Sequence, residues 1–298
     1  MAEVVVFGSI AVDHLILVDR FPDWDEVKIV KTFSIEPGGS AANVAYTLAK
    51  LGVKVSLISK VGGDYWARLS LNSLRKAGVN VSRVIVDEKL KTVHAYIVVV
   101  RGKKVVFVPL ADDLALSPSS PSEIDFSLID KCRLVYLGEV FLEVARVIAE
   151  YSRERGKTVV YRVTTPYAKK GFENLKNVLS RVDILLLNSK SWELLEASGA
   201  RIDELLDMGI DYVVVTMGEK GVEVNGILLK PPPLEVRVLD TTGCGDAFAA
   251  GLIKKLLEGA RVEEAVRFGM ILAYYIASEL GARKGVDKFV KNVYISTE

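Results

Sequence analysis

Short apolar runs alternate with segments of helical spacing along most of the chain. Runs that are apolar throughout are typical of strands buried on both faces of a sheet, whereas apolar residues three and four positions apart indicate helices. The predicted buried strands are residues 3–7, 53–59, 134–137, 158–163, 184–187 and 212–216. The predicted helices are residues 44–51, 65–76, 141–155, 172–179, 190–197, 201–208, 247–258, 263–280 and 286–290.

This alternation predicts an α/β fold, because a strand, a helix and a second strand in succession form a parallel pair covered by the helix. We expect a doubly wound, mostly parallel sheet flanked by helices, in a single domain over residues 1–298. Another set of strands reads as half-exposed: residues 15–18, 28–35, 81–86, 93–100 and 104–108. We expect these strands, inserted near 12–36 and 81–108, to form a small β-sheet lid over the site.

Composition excludes several classes of function. The 298 residues carry a formal net charge of +1, so no strong field favours nucleic acid or an anionic membrane. No apolar stretch reaches the roughly 20 residues of a membrane span, and the first strand begins too early for a signal peptide. Cys132 and Cys244 are too far apart in sequence for a disulfide framework or a metal motif, which favours the cytoplasm. The chain has no glutamine, which favours a thermophilic source.

Residues 239–251 form the most informative stretch. A predicted strand over 235–239 leads through Gly243 and Gly245 into a helix-forming segment. A glycine turn that opens a helix presents free amide N–H groups and the positive end of the helix dipole, which together favour an anion. Asp246 adds a carboxylate in the first turn of this helix. The stretch therefore predicts a site that handles a phosphoryl group beside a proton to be removed.

A second glycine-rich segment, Gly38-Gly39-Ser40, precedes the predicted helix 44–51. Glycine lets a ligand approach the backbone closely, and Asn43 offers both a donor and an acceptor to hydroxyl groups. Asp13 follows the first predicted strand, where an aspartate is by default a turn residue. Taken alone, this segment is explained equally well by helix packing and by hydroxyl binding.

Together, residues 38–43 and 240–251 resemble the two signatures of the ribokinase/PfkB family of carbohydrate kinases. Further resemblance lies in the Gly-x-x-x-x-Asp pattern at 8–13, Gly-Gly-Asp at 62–64, and residues 215–221 and 278–285. The resemblance implies a ribokinase-like fold with a β-sheet lid. It implies transfer of the γ-phosphate of ATP, with Mg²⁺, to a primary hydroxyl of a sugar. Some members are activated by K⁺, so a K⁺ requirement is a further expectation.

The resemblance also implies a role for each matching residue. Asp246 would accept the proton of the acceptor hydroxyl, while the amides of Gly243, Cys244 and Gly245 would stabilise the transferred phosphoryl group. The implied substrate-binding residues are Asp13, Gly38, Gly39, Asn43 and Glu139. The implied nucleotide-binding residues are Asn188, Thr216, Gly218, Gly221 and Gly245. Asp240, with carbonyls near Ala282 and Gly285, would form the monovalent-cation site.

Some positions depart from the family's pattern. An Asn-x-x-Glu motif beginning at Asn188 would place Glu at Ser191, so Glu193 is the substitute candidate for the Mg²⁺ network. Ala11 and Ser40 stand where ribose-specific members carry Asn and Lys. Losing two polar contacts of about 1 kcal/mol or more each weakens binding by roughly one to two orders of magnitude, which argues against ribose itself.

Other functions fit less well. A nucleoside kinase acting on a 5′-hydroxyl is the alternative within the same chemistry. An apolar or aromatic lid surface over the substrate would favour the nucleoside, whereas several carboxamides and carboxylates would favour a sugar. A dinucleotide-dependent oxidoreductase is disfavoured because residues 8–13 do not read G-x-G-x-x-G. A non-catalytic binder would need neither Asp246 nor the glycine turn.

Three further features remain open at this stage. Arg162 ends a predicted strand, and strand ends of this kind face the ligand crevice. It is either a surface arginine, which we favour, or a group that meets a phosphate or carboxylate of the substrate. His94, on a predicted lid strand, is either an ordinary strand residue, which we favour, or a residue that lines the substrate pocket. An exposed lid sheet would also allow two copies to pair across a twofold axis as a homodimer.

Overall fold

The computed structural model describes residues 2–30, 32–109, 113–234 and 236–294. The strands are β1 (Val4–Phe7), β2 (Ala11–Val18), β3 (Thr32–Gly38), β4 (Val55–Ile58), β5 (Lys60–Gly62), β6 (Ile85–Asp87), β7 (Lys91–Val100), β8 (Lys103–Phe107), β9 (Leu114–Ala115), β10 (Leu134–Leu137), β11 (Thr158–Arg162), β12 (Ile184–Asn188), β13 (Tyr212–Thr216), β14 (Val222–Val224) and β15 (Ile227–Leu229). The helices are α1 (Ser40–Lys50), α2 (Tyr65–Lys76), α3 (Ser127–Asp130), α4 (Leu142–Glu154), α5 (Thr165–Ala168), α6 (Phe172–Leu179), α7 (Ser189–Ala197), α8 (Ile202–Asp207), α9 (Cys244–Leu257), α10 (Val262–Ala277) and α11 (Lys284–Phe289).

The central sheet has the strand order β15-β14-β13-β12-β11-β10-β1-β4. Neighbouring strands from β13 to β4 pair in parallel, and β14 and β15 add an antiparallel edge. Helices cover both faces, so the predicted mostly parallel α/β sheet is confirmed. The carboxyl ends of the parallel strands lie along one edge, where α/β folds bind their ligands.

Each face of the sheet buries one apolar cluster, because side chains alternate across a strand. Val4 and Val6 lie in the cluster that includes α1, α9 and α10. Val5 and Phe7 lie in the opposite cluster, which includes α4 and α6. Helices α9 and α10 approach so closely that a Cβ on Gly251 would lie 2.9 Å from the Cα of Gly269. This packing fixes the position of α9, whose first turn carries Asp246.

A second sheet has the order β3-β2-β7-β8, and β9 pairs with β7. One face carries Asp13 and the small apolar cluster Leu15, Ala95, Ile97 and Val99. The other face carries exposed aromatic side chains, among them Phe33, Tyr96 and Phe107. Asp13 and His14 are neighbours in β2 and therefore point to opposite faces.

His94 lies on the face opposite to Asp13. Its Nδ1 is 2.7 Å from Nε2 of His14, and the His14 ring stacks on Tyr96. The alternative that His94 lines the pocket containing Asp13 is therefore wrong.

Strand β6 differs from the prediction for residues 81–86. It pairs in parallel with β5 in a separate two-stranded sheet, and it does not join the second sheet. The reason is local: α2 separates β5 from β6, and a strand–helix–strand unit brings its two strands side by side in parallel. Only β7 and β8 within the predicted segment 81–108 belong to the second sheet.

The predicted strand over 235–239 is also wrong in its described part; residue 235 lies outside the described residues. Residues 236–239 form no ladder, and Asp240 alone makes an isolated bridge, to Gly102. The amides of Leu239 and Asp240 donate to the carbonyl of Ala277 at 2.7 and 3.2 Å. The segment therefore follows the end of α10, and the apolar pattern reflects packing against that helix.

Helices α1 and α9 begin earlier than predicted, at Ser40 and Cys244. Their first turns consist of small residues without helical periodicity, and the glycines at the N-caps, Gly39 and Gly243, set the true start. Within the ranges given above, no helix has the length and apolar character needed to cross a bilayer.

Candidate active site

The ends of three parallel strands, β1, β10 and β11, meet the starts of two helices at the carboxyl edge of the sheet. Ser9 and Glu139 follow β1 and β10, and Arg162 is the last residue of β11. Ser40 and Asn43, in the first turn of α1, contact Asp246 in the first turn of α9. Three segments that are distant in sequence therefore share one cluster of polar side chains.

Asp246 lies at the centre of this cluster, with 9% of its side chain exposed. Ser40 Oγ donates to Oδ1 at 2.9 Å, and Asn43 Nδ2 donates to Oδ2 at 3.0 Å. These two donors fix the plane of the carboxylate. Each carboxylate oxygen has two lone pairs, so the group retains capacity to accept from a substrate hydroxyl.

Arg162 also contacts Asp246, so the surface-arginine interpretation is wrong. Its Nη1 forms an ion pair with Oδ1 of Asp246 and donates to Ser40 Oγ at 2.9 Å. Burial on its own would lower the pKa of Arg162, but Asp246, Tyr136 and Glu139 raise this pKa above its ordinary value. The guanidinium therefore stays charged at the centre of the site. The sequence signal was an arginine at the carboxyl end of a buried strand, a position that faces the crevice.

Asp13 is buried near the start of β2, with 6% of the residue exposed. Burial raises its pKa from 3.8 to about 7; Arg283 opposes this rise and Asp246 adds to it. A Cβ on Gly38 would lie 2.1 Å from the carboxylate of Asp13, so only glycine leaves room for this side chain. Gly39, the N-cap of α1, has φ 91°, and a Cβ there would lie 2.6 Å from the amide nitrogen of Ala11.

Arg283 is a second buried cation that the sequence did not reveal. Its Nε donates to Asn43 Oδ1 at 3.0 Å across a separation of 240 residues, and its Nη2 donates to the Gly38 carbonyl at 3.4 Å. Burial lowers the pKa of Arg283 to about 10, although Asp13 opposes this change. Arg283 therefore orients Asn43 and faces the carboxylate of Asp13.

Glu139 follows β10 and accepts from Ser9 Oγ at 2.9 Å. Burial raises its pKa; Arg162 opposes this effect and Asp246 adds to it. The charge of Asp246 thus raises the pKa of both Asp13 and Glu139. The structure brings the predicted substrate-binding carboxylates together around the predicted base.

The glycine turn depends on its glycines at two positions. Gly243 has φ 78°, in the left-handed region, and a Cβ there would lie 2.5 Å from Cβ of Ala282. A Cβ on Gly245 would lie 2.5 Å from Nη2 of Arg162. The amide of Cys244 donates to the Thr241 carbonyl at 3.3 Å, so it is partly engaged. Burial raises the pKa of the Cys244 thiol to about 12, so the thiol stays neutral.

Asp240 is fully buried just before this turn. Its Oδ1 accepts from the amide and hydroxyl of Thr242 at 2.8 and 2.7 Å, and its Oδ2 accepts from the amide of Gly281 at 2.9 Å. Lys104 Nζ, from β8, donates to the Thr241 carbonyl at 3.2 Å. The turn is therefore held by its own aspartate and is linked to the second sheet.

A cavity of about 190 Å³ opens beside the turn. Its walls include four of the predicted nucleotide residues, Thr216, Gly218, Gly221 and Gly245, together with Phe248, Tyr274 and Ala277. The fifth, Asn188, caps α7 by accepting from the amide of Ser191 at 2.8 Å. A mostly apolar cavity that ends at a glycine turn suits a nucleotide. Its flat base would fill the cavity, and its phosphates would reach the turn.

Glu193 does not join the cluster around Asp246. It pairs with Lys190 at 3.0 Å on the surface of α7, with 59% of its side chain exposed. The described residues contain no group of three or more His, Cys, Asp or Glu side chains placed to hold a metal ion.

Comparison with known protein families identifies the family of this chain. The model of the pfkB family of carbohydrate kinases matches residues 1–288. The chain belongs to the pfkB carbohydrate kinase family. The kinase is 32% identical over 290 residues to an ATP-dependent ribose-1-phosphate kinase of Halopiger xanaduensis, covering 95% of this chain and 94% of that protein. It is 29% identical over 294 residues to a ribokinase of Haemophilus influenzae, covering 94% of each.

Solved structures agree on the fold. The ribokinase of Thermotoga maritima superposes with a TM-score of 0.78 at 25% identity, covering 98% of this chain and 100% of that one. A nucleoside kinase of Methanocaldococcus jannaschii also gives 0.78, at 22% identity, covering 98% and 97%. The kinase is thus a phosphotransferase with an alcohol acceptor on a ribokinase fold, and its family implies ATP, usually with Mg²⁺.

Proposed function

We propose that this kinase transfers the γ-phosphate of ATP to a primary hydroxyl of a sugar, with Asp246 as the base. One observation carries the proposal: Ser40 and Asn43 hold the Asp246 carboxylate in the first turn of a helix that opens with a glycine turn. The base and the anion-binding amides therefore lie in the same helical turn. This arrangement can hold the acceptor hydroxyl and the phosphoryl group next to each other for in-line transfer.

The proton of the acceptor hydroxyl passes to the Asp246 carboxylate as the hydroxyl oxygen bonds to the γ-phosphorus. Positioning dominates this step, because the loose transition state of phosphoryl transfer demands little basicity from the carboxylate. The amides of Gly243 and Gly245 stabilise charge on the transferred group. The amide of Cys244 contributes less, because it already donates to Thr241.

The acceptor side is polar, which supports a sugar over a nucleoside. Asp13, Asn43 and Glu139 offer acceptors and donors to several hydroxyl groups, and Gly38 and Gly39 leave room for a ring. The names of the two relatives make pentoses and pentose phosphates the first acceptors to test. The nucleoside alternative relies on the apolar residues of the second sheet, and these lie further along β2 than Asp13.

ATP would lie with its base in the cavity beside Thr216, Gly218 and Gly221 and its phosphates at the glycine turn. Mg²⁺ would arrive with ATP, take phosphate oxygens and water as its main ligands, and screen the phosphate charges. Asp240 already accepts three hydrogen bonds from Thr242 and Gly281, so a K⁺ site there would use the remaining lone pair of its Oδ2 and draw mainly on backbone carbonyls near Ala282 and Gly285.

The second sheet would act as the lid of this site. Support comes from Asp13 on its inner face and from the contact of Lys104 with the glycine turn. Its outer face exposes Phe33, Tyr96 and Phe107, an apolar surface suited to pairing two lids across a twofold axis. A homodimer formed in this way would cover the aromatic side chains of both copies.

The test is an ATP-coupled assay with purified protein over a panel of pentoses, hexoses, pentose phosphates and nucleosides. We expect a sugar or sugar phosphate to react fastest, with the new phosphate on its primary hydroxyl by ³¹P NMR. A nucleoside reacting fastest would establish the alternative. ATP turnover with none of these acceptors would contradict the proposed function.

A further inference from the structure

Arg162 occupies the space between the base and the glycine turn. One of its terminal nitrogens, Nη1, pairs with Oδ1 of Asp246 and donates to Ser40 Oγ. The other, Nη2, lies against Gly245, where it would be 2.5 Å from any Cβ. A single guanidinium thus contacts the base with one nitrogen and the anion-binding turn with the other.

This position is electrostatically unusual. The first turn of α9 is the positive end of a helix dipole, which repels a cation and attracts an anion. Asp246 and Glu139 offset that repulsion in the free protein. Helix amides and a guanidinium that converge on one point generate a strongly positive potential there, which suits a phosphoryl group carrying developing charge.

The reacting phosphoryl group is a better match than a phosphate elsewhere on the acceptor. Arg162 touches the residue that receives the proton, so it lies at the reacting hydroxyl. In a sugar phosphate, the existing phosphate and the reacting primary hydroxyl are on different carbons. A side chain that binds the existing phosphate should therefore lie at a distance from Asp246. Contact with both Asp246 and Gly245 places Arg162 at the bond that forms.

We propose that Arg162 is a catalytic residue that stabilises the transferring γ-phosphoryl group, a role that rests on the proposed function. Nη2 donates to a non-bridging γ-oxygen while Nη1 keeps Asp246 oriented. The acceptor oxygen bonds to the γ-phosphorus and the bond to the β–γ bridging oxygen breaks. That electron pair leaves with ADP, and the hydroxyl proton passes to Asp246.

Arg162→Ala, Arg162→Lys and the matched control Arg133→Gln test this role. Arg133 precedes β10, at the opposite edge of the sheet, with 60% of its side chain exposed. With the best acceptor of the panel, we expect kcat of Arg162→Ala to fall by about 10²–10⁴-fold, because single transition-state donors contribute at this level. Arg162→Lys should recover only part of kcat, since an ammonium cannot serve both partners. The control should stay within about twofold of the parent.

Two further readouts separate catalysis from folding and from substrate binding. Guanidinium chloride at millimolar concentration should restore turnover of Arg162→Ala at least about tenfold, which a purely structural defect would not allow. ADP with aluminium fluoride, a mimic of the transferring phosphoryl group, should bind Arg162→Ala at least about tenfold more weakly than the parent, while ATP affinity changes less than about threefold.

Unchanged kcat in Arg162→Ala would overturn the inference. So would a raised KM for the acceptor with kcat retained, because that result assigns Arg162 to the acceptor's own charge. Failure of the proposed function looks different: the parent protein itself would phosphorylate no acceptor of the panel.

Discussion

The transfer side and the acceptor side of the site are built differently. The transfer side, around Gly243 and Gly245, consists of backbone amides at the start of a helix, packed so closely that only glycine fits. The acceptor side, around Asp13, Asn43 and Glu139, consists of side chains. Burial raises the pKa of the two carboxyl groups, and neighbouring charges change it further. Under the proposed function, the transfer side would specify the reaction, and the acceptor side would specify which molecule receives the phosphate.

Of the substitutions that test this difference between the two sides, Gly243→Ala should have the largest effect on activity. A side chain at φ 78° costs about 1–2 kcal/mol, and its Cβ would collide with Ala282, which displaces the start of α9. We expect kcat to fall by at least about 100-fold with smaller changes in KM, measured by steady-state kinetics. Gly259→Ala is the matched control: Gly259 has φ 82° and nothing within 4 Å of its Cβ, so it carries the backbone strain without the collision. Equal losses of kcat in both variants would contradict the role of the turn.

Asp13→Asn tests the acceptor side. This change keeps the shape of the side chain and removes the charge that faces Arg283. We expect KM for the acceptor to rise by about 10–100-fold, because hydroxyl donors lose a charged partner, while kcat changes less than about threefold. A fall in kcat at unchanged KM would show that the two sides are not separable in this way.

Asp13 should also make stability depend on pH. Burial raises its folded pKa to about 7 from the ordinary 3.8, so ionising it in the folded protein costs free energy. Its stabilising contribution is complete below about pH 4 and is lost as pH rises through 7. We expect the unfolding free energy of the parent relative to Asp13→Asn to decrease between pH 4 and 7 in urea titrations. A difference that is constant over this range would contradict the raised pKa.

The smallest effect should come from Glu193→Gln. Its carboxylate pairs with Lys190 on the surface of α7, so kcat and KM for ATP should change less than about twofold. Asn188→Ala is the comparison, because it removes the cap of α7 and should cost about 1 kcal/mol of stability. A tenfold loss of activity in Glu193→Gln would mean that Glu193 serves the nucleotide site despite its exposed position.

Local patterns predicted much of this molecule. Uninterrupted apolar runs indicated the buried strands, such as β10 and β13, because strands buried on both faces carry mostly apolar side chains. Glycine turns next to carboxylates indicated the kinase family, because those motifs consist of consecutive residues. The segment 235–239 misled the prediction, because an apolar chain packed on a helix and a strand share the same pattern.

The two arginines could not be predicted in the same way. Arg283 reaches Asn43 across 240 residues, and Arg162 reaches Asp246 across 84. Neither contact follows a sequence period, since each depends on how distant segments meet at the strand ends. The contact of Arg283 with Asn43 lies on the acceptor side, and long-range contacts of this kind explain why the sequence indicated a kinase more clearly than its substrate.

The most direct test of the central claim is single-site replacement of the base. For Asp246→Asn we expect turnover with the best acceptor to fall by at least about 100-fold, while ATP affinity stays within about threefold of the parent. Asp203→Asn, on exposed α8, is the matched control and should retain full turnover. Unchanged turnover in Asp246→Asn would contradict the account.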